Sequence, residues 1–208
     1  MTANAGRLFN QPRTIDRRGA NCWRPDGGCV VLAWMFKKLL WANAFSTERG
    51  RIRLFRSMDW TLFPSRALAI NLQMVGEKLG EGFVYKLGYE AGKDAAKEMV
   101  KYMGLKPRGG WVTQKAVISL LDFIGFGTPV FVRAKIRHGH HHIIVHVSDN
   151  PVIEHGARMF GARSVACKWF MGVYAAHGEA ELGVKHVKLK ENKCIRLGAP
   201  YCEWETKR

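Results

Sequence analysis

The sequence predicts one α+β domain in which an antiparallel sheet is flanked by helices. Its 208 residues lie within the range of a single domain, and a 47% apolar content is enough for a substantial core. From Pro129 to His138, apolar side chains alternate with mostly basic ones. The segment from His142 to Ser148 follows after a turn at Gly139. This pattern is typical of two antiparallel strands. Helix-length segments lie on either side of this pair, at residues 65–79, 83–103 and 167–182.

The first third of the chain is predicted to form an arm, a helix and a short hairpin. Residues 1–28 contain glycines and prolines among scattered arginines, which indicates an extended arm, so the domain itself is predicted to span residues 29–208. A helix is predicted over Val30–Phe45. A strand is predicted over Arg51–Arg56, with Trp60–Phe63 as its hairpin partner.

Two serines are predicted to cap helices, because a serine hydroxyl accepts a hydrogen bond from the free backbone N–H groups of the first turn. Ser65 would cap the helix that ends at Leu79, and Ser164 the helix that contains Cys167. The remaining elements predicted from the same patterns are a loop at Lys106–Gly110, a helix over Gln114–Ile124, and strands over Lys185–Lys190 and Tyr201–Glu205.

Gly88 and Gly92 are four residues apart in the predicted helix over Phe83–Met103 and therefore share one of its faces. Each glycine lowers the stability of a helix by about 1 kcal/mol relative to alanine, so a pair of glycines indicates a structural requirement for them. The spacing predicts that the backbone of a neighbouring element approaches this face closely.

The last 42 residues contain a metal-ligand pattern. Cys167 is followed by Glu191-x-x-Cys194 and then by Cys202, and Gly198 and Pro200 supply a turn between the last two cysteines. Three thiols and a carboxylate at this spacing predict a tetrahedral zinc site. The alternative is that these are ordinary buried thiols, since free cysteine is often a core residue. Cys22 and Cys29 fit no ligand template and remain unassigned.

Several of these residues stand in motifs that resemble the 4-vinyl reductase (4VR) domain family. Residues 88–92, Gly-Tyr-Glu-Ala-Gly, resemble its Gly-Tyr-Glu-x-Gly helix, and residues 167–174 resemble its cysteine-bearing helix, which runs on to a glycine, here Gly183. Glu191-x-x-Cys194 and the segment from Gly198 to Trp204 resemble its closing signature. The resemblance covers about residues 50 to 205, and its motifs occur in the family's order and spacing.

The resemblance implies a small-molecule sensor or carrier. Family members include aromatic-sensing regulators that hold phenol-like effectors beside a structural zinc, and the fold is shared with heme-based nitric oxide sensors and vesicle-tethering subunits. It implies an apolar pocket between sheet and helices, with His146 at the position of an effector contact and Trp169 or Phe170 in a wall. The regulators of this family also carry ATPase and DNA-binding domains, for which this sequence has no counterpart.

Five histidines occur within nine residues, from His138 to His146. Histidine-rich tracts can bind metal, but His142 and His146 are four residues apart on a predicted strand, about 13 Å between their Cα atoms, which is too far for one ion. We therefore expect His138 to His141 to form a solvated turn. His146 either faces the pocket or is a hydrogen-bonded histidine between sheet and helix.

The net charge of +16 is concentrated at the two ends of the chain. Residues 1–56 carry eleven basic residues against three acids, whereas residues 57–184 are close to balance. A basic end is typical of a protein that binds nucleic acid or another anionic surface, so the alternative function is a nucleic-acid or ribonucleoprotein-binding protein built on the same fold. The charge could equally be a solubilising surface. If the arm is ordered, we expect a partner to hold it. That partner would be a second subunit, which would make the protein a homodimer, or the phosphates of RNA or DNA. The arginines that would contact these phosphates are Arg7, Arg13, Arg17, Arg18 and Arg24.

The remaining motifs argue against an enzyme and against a membrane span. No nucleophile–base pair or phosphate-binding glycine loop is visible in the sequence, so a reductase activity is suggested only by the family name. No apolar run reaches the roughly 18 residues of a membrane-spanning helix, and the start of the chain lacks an apolar signal segment. Thiols committed to a metal predict a reducing cytoplasm.

Overall fold

The computed structural model describes residues 45–48, 51–54, 58–61, 63–102, 117, 120–122, 124–137, 140–183, 185 and 187–206. The predicted arm, most of the predicted helix over residues 30–45 and the loop at residues 106–110 lie outside these residues. Phe45 itself is not helical, because it begins a strand. Three short strands open the described chain: β1 (Phe45–Glu48), β2 (Arg51–Leu54) and β3 (Met58–Trp60).

The three short strands form an antiparallel sheet in the order β1-β2-β3. The sequence predicted the β2–β3 hairpin, although β3 begins two residues earlier than expected. Pairing between β1 and β2 is not predicted from the sequence, because Phe45 lies at the end of the apolar run that indicates a helix.

Two long helices follow, α1 (Ser65–Leu79) and α2 (Glu81–Tyr102), separated only by Gly80. The N-cap of α1 is Pro64, so the prediction that Ser65 caps this helix is wrong by one residue. Proline fixes φ near the helical value, and it serves at the entrance to a helix without a side-chain hydrogen bond. The second helix begins at Glu81 rather than at Phe83. Gly80, with φ of 85°, is therefore enough to break the helical path.

A hairpin of long strands forms the centre of the domain: β4 (Thr128–Arg137) and β5 (His140–Ser148). It confirms the predicted antiparallel pair. Gly125 and Gly127 have positive φ values before β4, as expected where glycines end a helical segment, and Val117 and residues 120–122 before them are helical.

A helix that the sequence analysis did not predict, α3 (Pro151–Phe160), follows β5 directly. The Asn150 side chain accepts hydrogen bonds from the backbone N–H groups of Val152 (3.1 Å) and Ile153 (3.0 Å), and Pro151 stands at the first helical position. Asparagine followed by proline is a recognised helix start, so the signal was present in the sequence.

The chain ends with α4 (Ala166–Leu182), β6 (Leu189–Lys193) and β7 (Cys202–Thr206). The N-cap of α4 is Val165, so the predicted cap at Ser164 is wrong by one residue, whereas Gly183 ends the helix in the left-handed conformation as expected. The four long strands form an antiparallel sheet in the order β4-β5-β7-β6.

The core lies between one face of this sheet and α4. Val145, Val147 and Trp204 point inward from the sheet and pack with Phe170 and Tyr174 of α4. On its other side α4 crosses α2 at backbone contact. A Cβ atom built on Gly88 would lie 2.0 Å from the Trp169 carbonyl oxygen, and one built on Gly172 would lie 2.1 Å from the Tyr85 carbonyl oxygen. The close approach predicted from Gly88 and Gly92 is confirmed.

Candidate metal centre and ligand cavity

Three cysteines from three different elements meet beneath the sheet. Cys167 lies in the first turn of α4, Cys194 directly follows β6, and Cys202 is the first residue of β7. A 3₁₀ turn over Ile195–Leu197 returns the chain from β6 to β7, and Gly198, with φ of 88°, closes it. All three side chains are buried.

The spacing of the three sulfur atoms fits a tetrahedral metal ion. Cys167 Sγ lies 3.6 Å and Cys194 Sγ lies 3.5 Å from Cys202 Sγ, and all three sulfurs lie within 4.8 Å of one another. A tetrahedron with Zn–S bonds near 2.3 Å has edges of about 3.8 Å. The predicted convergence of the three thiols is therefore found, and only small shifts separate this arrangement from a zinc geometry.

The surroundings of the cluster stabilise negative charge on one sulfur. Hydrogen bonds from the thiols of Cys167 and Cys202 lower the pKa of Cys194 to about 3, and the Arg196 backbone N–H adds to this effect. Burial, the largest cause, raises the pKa of Cys167. The Trp204 indole N–H also donates to Cys167 Sγ at 3.3 Å. Such outer hydrogen bonds fix the orientation of metal ligands.

The fourth predicted ligand, Glu191, lies outside the group of mutually close ligand atoms, which contains the three cysteines alone among the described residues. Its Oε1 atom accepts a hydrogen bond from Arg196 Nη2 at 2.9 Å. Its Oε2 atom is buried without a hydrogen-bond partner and lies 3.5 Å from Lys168 Nζ. One carboxylate oxygen is thus hydrogen-bonded to the arginine, whereas the other faces the lysine ammonium without a hydrogen bond.

A small apolar cavity lies between the sheet and α4. Its free volume of about 10 Å³ is enough for roughly one water molecule, so an aromatic ring would need the walls to move apart. Trp169 and Phe170 do not line it; they pack edge-to-face on each other and on Phe126. The cavity is lined by Phe131, Ile143, Val145, Tyr174, Gly178, Val187 and Leu189.

His146 lies on the face of the sheet that points away from this cavity. Its ring stacks on Tyr201 with a centroid distance of 4.3 Å, and its Nε2 atom lies 2.8 Å from Glu203 Oε2. The neighbouring histidine on this face, His142, pairs with Glu205 at 2.6 Å. The structure therefore does not bring His146, Trp169 and Phe170 together around the cavity.

A different histidine occupies the inner face of β5. His141 precedes Ile143 by two residues, and both of its ring nitrogens are buried without a hydrogen-bond partner among the residues that the structure describes. The histidine-rich pattern predicts a solvated turn at this position, and the structure places the residue in β5 instead. It is the first residue of the alternating set that ends in Val145 and Val147, which are buried, and this alternation was the signal that could have placed it inside.

Several predicted features fall on residues outside the described part of the chain: the five arm arginines, Cys22, Cys29 and His138. Binding of nucleic acid by the arm therefore stays a prediction. In the described part, every helix is too short or too polar to cross a membrane.

Comparison with known proteins gives a relationship through structure. No protein-family model matches the sequence, and no curated protein matches it significantly. The structure is similar to the crystal structure of the phenol-responsive sensory domain of the transcription activator PoxR with phenol. The TM-score is 0.66 at 20% identity, over 84% of this chain and 89% of that one.

Two further solved structures are more distantly similar. A vinyl-4-reductase family protein from Methanocaldococcus jannaschii has a TM-score of 0.46 at 14% identity, over 74% of this chain and 85% of that one. A trafficking protein particle complex subunit 3 from Naegleria fowleri, covalently bound to palmitic acid, has 0.48 at 14% identity, over 69% and 95%. The similarity to the PoxR domain confirms the predicted α+β fold, and this chain has the fold of that sensory domain.

Proposed function

We propose that this protein is a non-catalytic binding domain for a small hydrophobic or aromatic molecule, stabilised by a structural zinc ion. The observation that carries the proposal is that three buried sulfurs converge in a domain that also holds an apolar cavity between sheet and helix, in a chain with the fold of a phenol-responsive sensory domain. The metal would join α4 to the ends of β6 and β7. Since α4, Val187 and Leu189 form walls of the cavity, the metal would also hold those walls together.

Zinc would be held by Cys167, Cys194 and Cys202, with Glu191 as the fourth ligand. The Oε2 atom of Glu191 is buried and lacks a hydrogen-bond partner, which supports this assignment. A site closed by four protein ligands is structural, because it leaves no position for water or substrate. Bound zinc here would contribute to folding rather than to a reaction.

His141 would supply the polar contact that the sequence analysis gave to His146. It extends the inner-face set whose member Ile143 lines the cavity, and its ring nitrogens have no other partner. Apolar walls with one polar group are the usual design of a small-molecule site. The preferred ligand would therefore carry a hydroxyl or amine on an apolar ring.

The two histidines allow a matched test. Binding of phenol, and of toluene as the analogue without a hydroxyl, is measured by calorimetry on the wild type, His141→Ala and His146→Ala. We expect His141→Ala to lose about 2- to 10-fold in affinity for phenol, the value of one hydrogen bond, and to keep its affinity for toluene. His146→Ala should bind both compounds like the wild type.

Two results would refute parts of this proposal. If native mass spectrometry of protein purified without chelator showed no bound metal, the zinc assignment would fail. If neither the wild type nor any variant bound an aromatic compound, the binding function would fail, and equal losses in the two histidine variants would reject the role of His141.

A further inference from the structure

We propose that Arg196 is a positioning residue for the metal centre: it holds the Glu191 carboxylate in the orientation that offers Oε2 to the ion. The inference rests on the proposed zinc site and deepens it, because it names a residue outside the ligand set that determines the affinity for metal.

The Arg196 guanidinium is fixed by partners that do not belong to the metal site. Its Nη1 atom donates to the backbone carbonyl oxygens of Ser164 (2.9 Å) and Ala162 (3.1 Å), and to Glu81 Oε1 (3.1 Å). Its side chain is only 10% exposed. A guanidinium is planar and carries its donors in a rigid fork, so these contacts also fix the direction of Nη2.

The second terminal nitrogen, Nη2, donates to Glu191 Oε1 at 2.9 Å. Glu191 stands at a bulge in β6, where the register with β7 shifts between Glu191 and Lys193. A charge-assisted hydrogen bond to one oxygen fixes the orientation of this buried carboxylate. With Oε1 anchored, Oε2 is the atom left for the ion.

Charge balance supports the same role. Three thiolates and one carboxylate carry four negative charges, and a divalent ion compensates two of them. Taking the remaining charge out of water is costly unless cations lie nearby. Arg196 and Lys168, which lies 3.5 Å from Glu191 Oε2, are those cations, and their other shared partner, Glu81, is half-exposed and solvated.

The opposite role, competition, predicts the reverse effect. If Arg196 withheld Glu191 from the ion, removing the guanidinium would release the carboxylate and tighten metal binding. The anchoring of one oxygen with the other left without a hydrogen bond favours positioning. The two roles differ in the sign of one measured quantity, the change in zinc affinity.

The test measures zinc dissociation constants of the full chain by competition with a chromophoric chelator. The variants are Arg196→Met, Arg196→Lys and Glu191→Ala, with Glu81→Gln as the control that removes a partner of Arg196 without touching Glu191. We expect Arg196→Met to weaken zinc binding 10- to 100-fold, as the loss of partners that orient ligands typically does, and Arg196→Lys to weaken it less. Glu81→Gln should change it less than 3-fold.

A double variant separates positioning from a general structural role. If Arg196 acts through Glu191, Arg196→Met should cause no further loss in the Glu191→Ala background. In Co²⁺-loaded protein, Arg196→Met should alter the visible ligand-field bands, which report the fourth ligand, and leave the intensity of the thiolate charge-transfer band unchanged. If Arg196 had only a structural role, its replacement would lower the stability of metal-free and metal-loaded protein equally. It would change neither the ligand-field bands nor the charge-transfer band of the Co²⁺ protein.

Unchanged or tighter zinc binding by Arg196→Met would overturn the inference, as would equal losses in both backgrounds. If Arg196→Met did not fold, the Arg196→Lys variant would decide the matter through the same affinity and the same Co²⁺ spectrum. A wild type that bound no zinc at all would instead refute the proposed function, so the two failures are distinguishable.

Discussion

Replacing Gly88 by alanine would force apart the two helices that support the whole domain. The added Cβ would lie 2.0 Å from the Trp169 carbonyl oxygen, whereas ordinary contacts begin at 3.4 Å. The nearest atoms belong to the backbone of α4 and cannot rotate away, so the helices must separate by about 1 Å merely to reach 3.0 Å, the distance below which Cβ contacts are essentially never found. A gap of that size forfeits up to about half of the dispersion energy of the atoms across it.

The expected loss of stability is about 3 kcal/mol. Overpacking typically costs about 1–3 kcal/mol, and a backbone-to-backbone contact belongs at or above the top of that range, while the gain in helix propensity returns about 1 kcal/mol. Gly178→Ala in α4 is the matched control. The nearest atom to its added Cβ would be Val187 Cγ1 at an ordinary 3.9 Å, so this variant should be up to about 1 kcal/mol more stable than the wild type.

The assay is urea unfolding of metal-loaded protein, followed by circular dichroism, with the free energies extrapolated to water. Gly172→Ala should behave like Gly88→Ala, and the double variant should lose less than the sum of the two because the first substitution already separates the helices. If the unfolding free energies of Gly88→Ala and Gly178→Ala agreed to within about 0.5 kcal/mol, the close backbone contact between α2 and α4 would be refuted.

Two further predictions concern the metal cluster and the outer face of the sheet. Cys194→Ser should abolish stoichiometric zinc in elemental analysis and make stability insensitive to chelator, whereas Cys22→Ser should leave both unchanged, because a structural ion contributes its binding energy to folding. Burial opposes ionisation of Glu203, but hydrogen bonds from Lys193 and His146 outweigh it and lower the pKa of this carboxyl below its usual 4.5. The stability contributed by ionised Glu203 is therefore present above pH 4.5 and lost as the pH falls through the lower, folded-state pKa. Glu203→Gln should be about 1 kcal/mol less stable than the wild type at pH 7, and a difference in unfolding free energy that did not shrink towards pH 3 would contradict this assignment.

The main elements of the fold could be predicted where short-range patterns decide the structure. The alternation in β4 and β5 needs only a sheet with one buried face, and the spacing of Gly88 and Gly92 needs only a neighbouring helix. Helix starts were less predictable. Ser164 carries a capping side chain, but it is buried, and its carbonyl oxygen binds Arg196 instead of beginning the helix. Which of two adjacent residues becomes the cap depends on such tertiary contacts.

The metal cluster shows a second limit. Three thiols at this spacing predicted their own convergence, because a free cysteine behaves as a small apolar residue that the core accepts. Glu191 is different, since the position of a carboxylate depends on every cation within reach, and its partners Arg196 and Lys168 lie on other elements. Nothing in the local spacing of Glu191-x-x-Cys194 reports those cations.

The two faces of β5 illustrate a conflict between two kinds of inference. Alternation places Ile143, Val145 and Val147 on one face, and since these are the apolar residues, that face must be the buried one. His146 then necessarily points outward, where it pairs with the carboxylate of its cross-strand neighbour Glu203. The family resemblance had pointed the other way, because it compares positions without testing which side chains the core can accept. Where the two disagree, the physical pattern has the stronger claim: a one-residue change of face would expose three apolar side chains and bury two histidines with their carboxylate partners. The same reasoning makes His141, on the inward set and without a hydrogen-bond partner, the residue to substitute first.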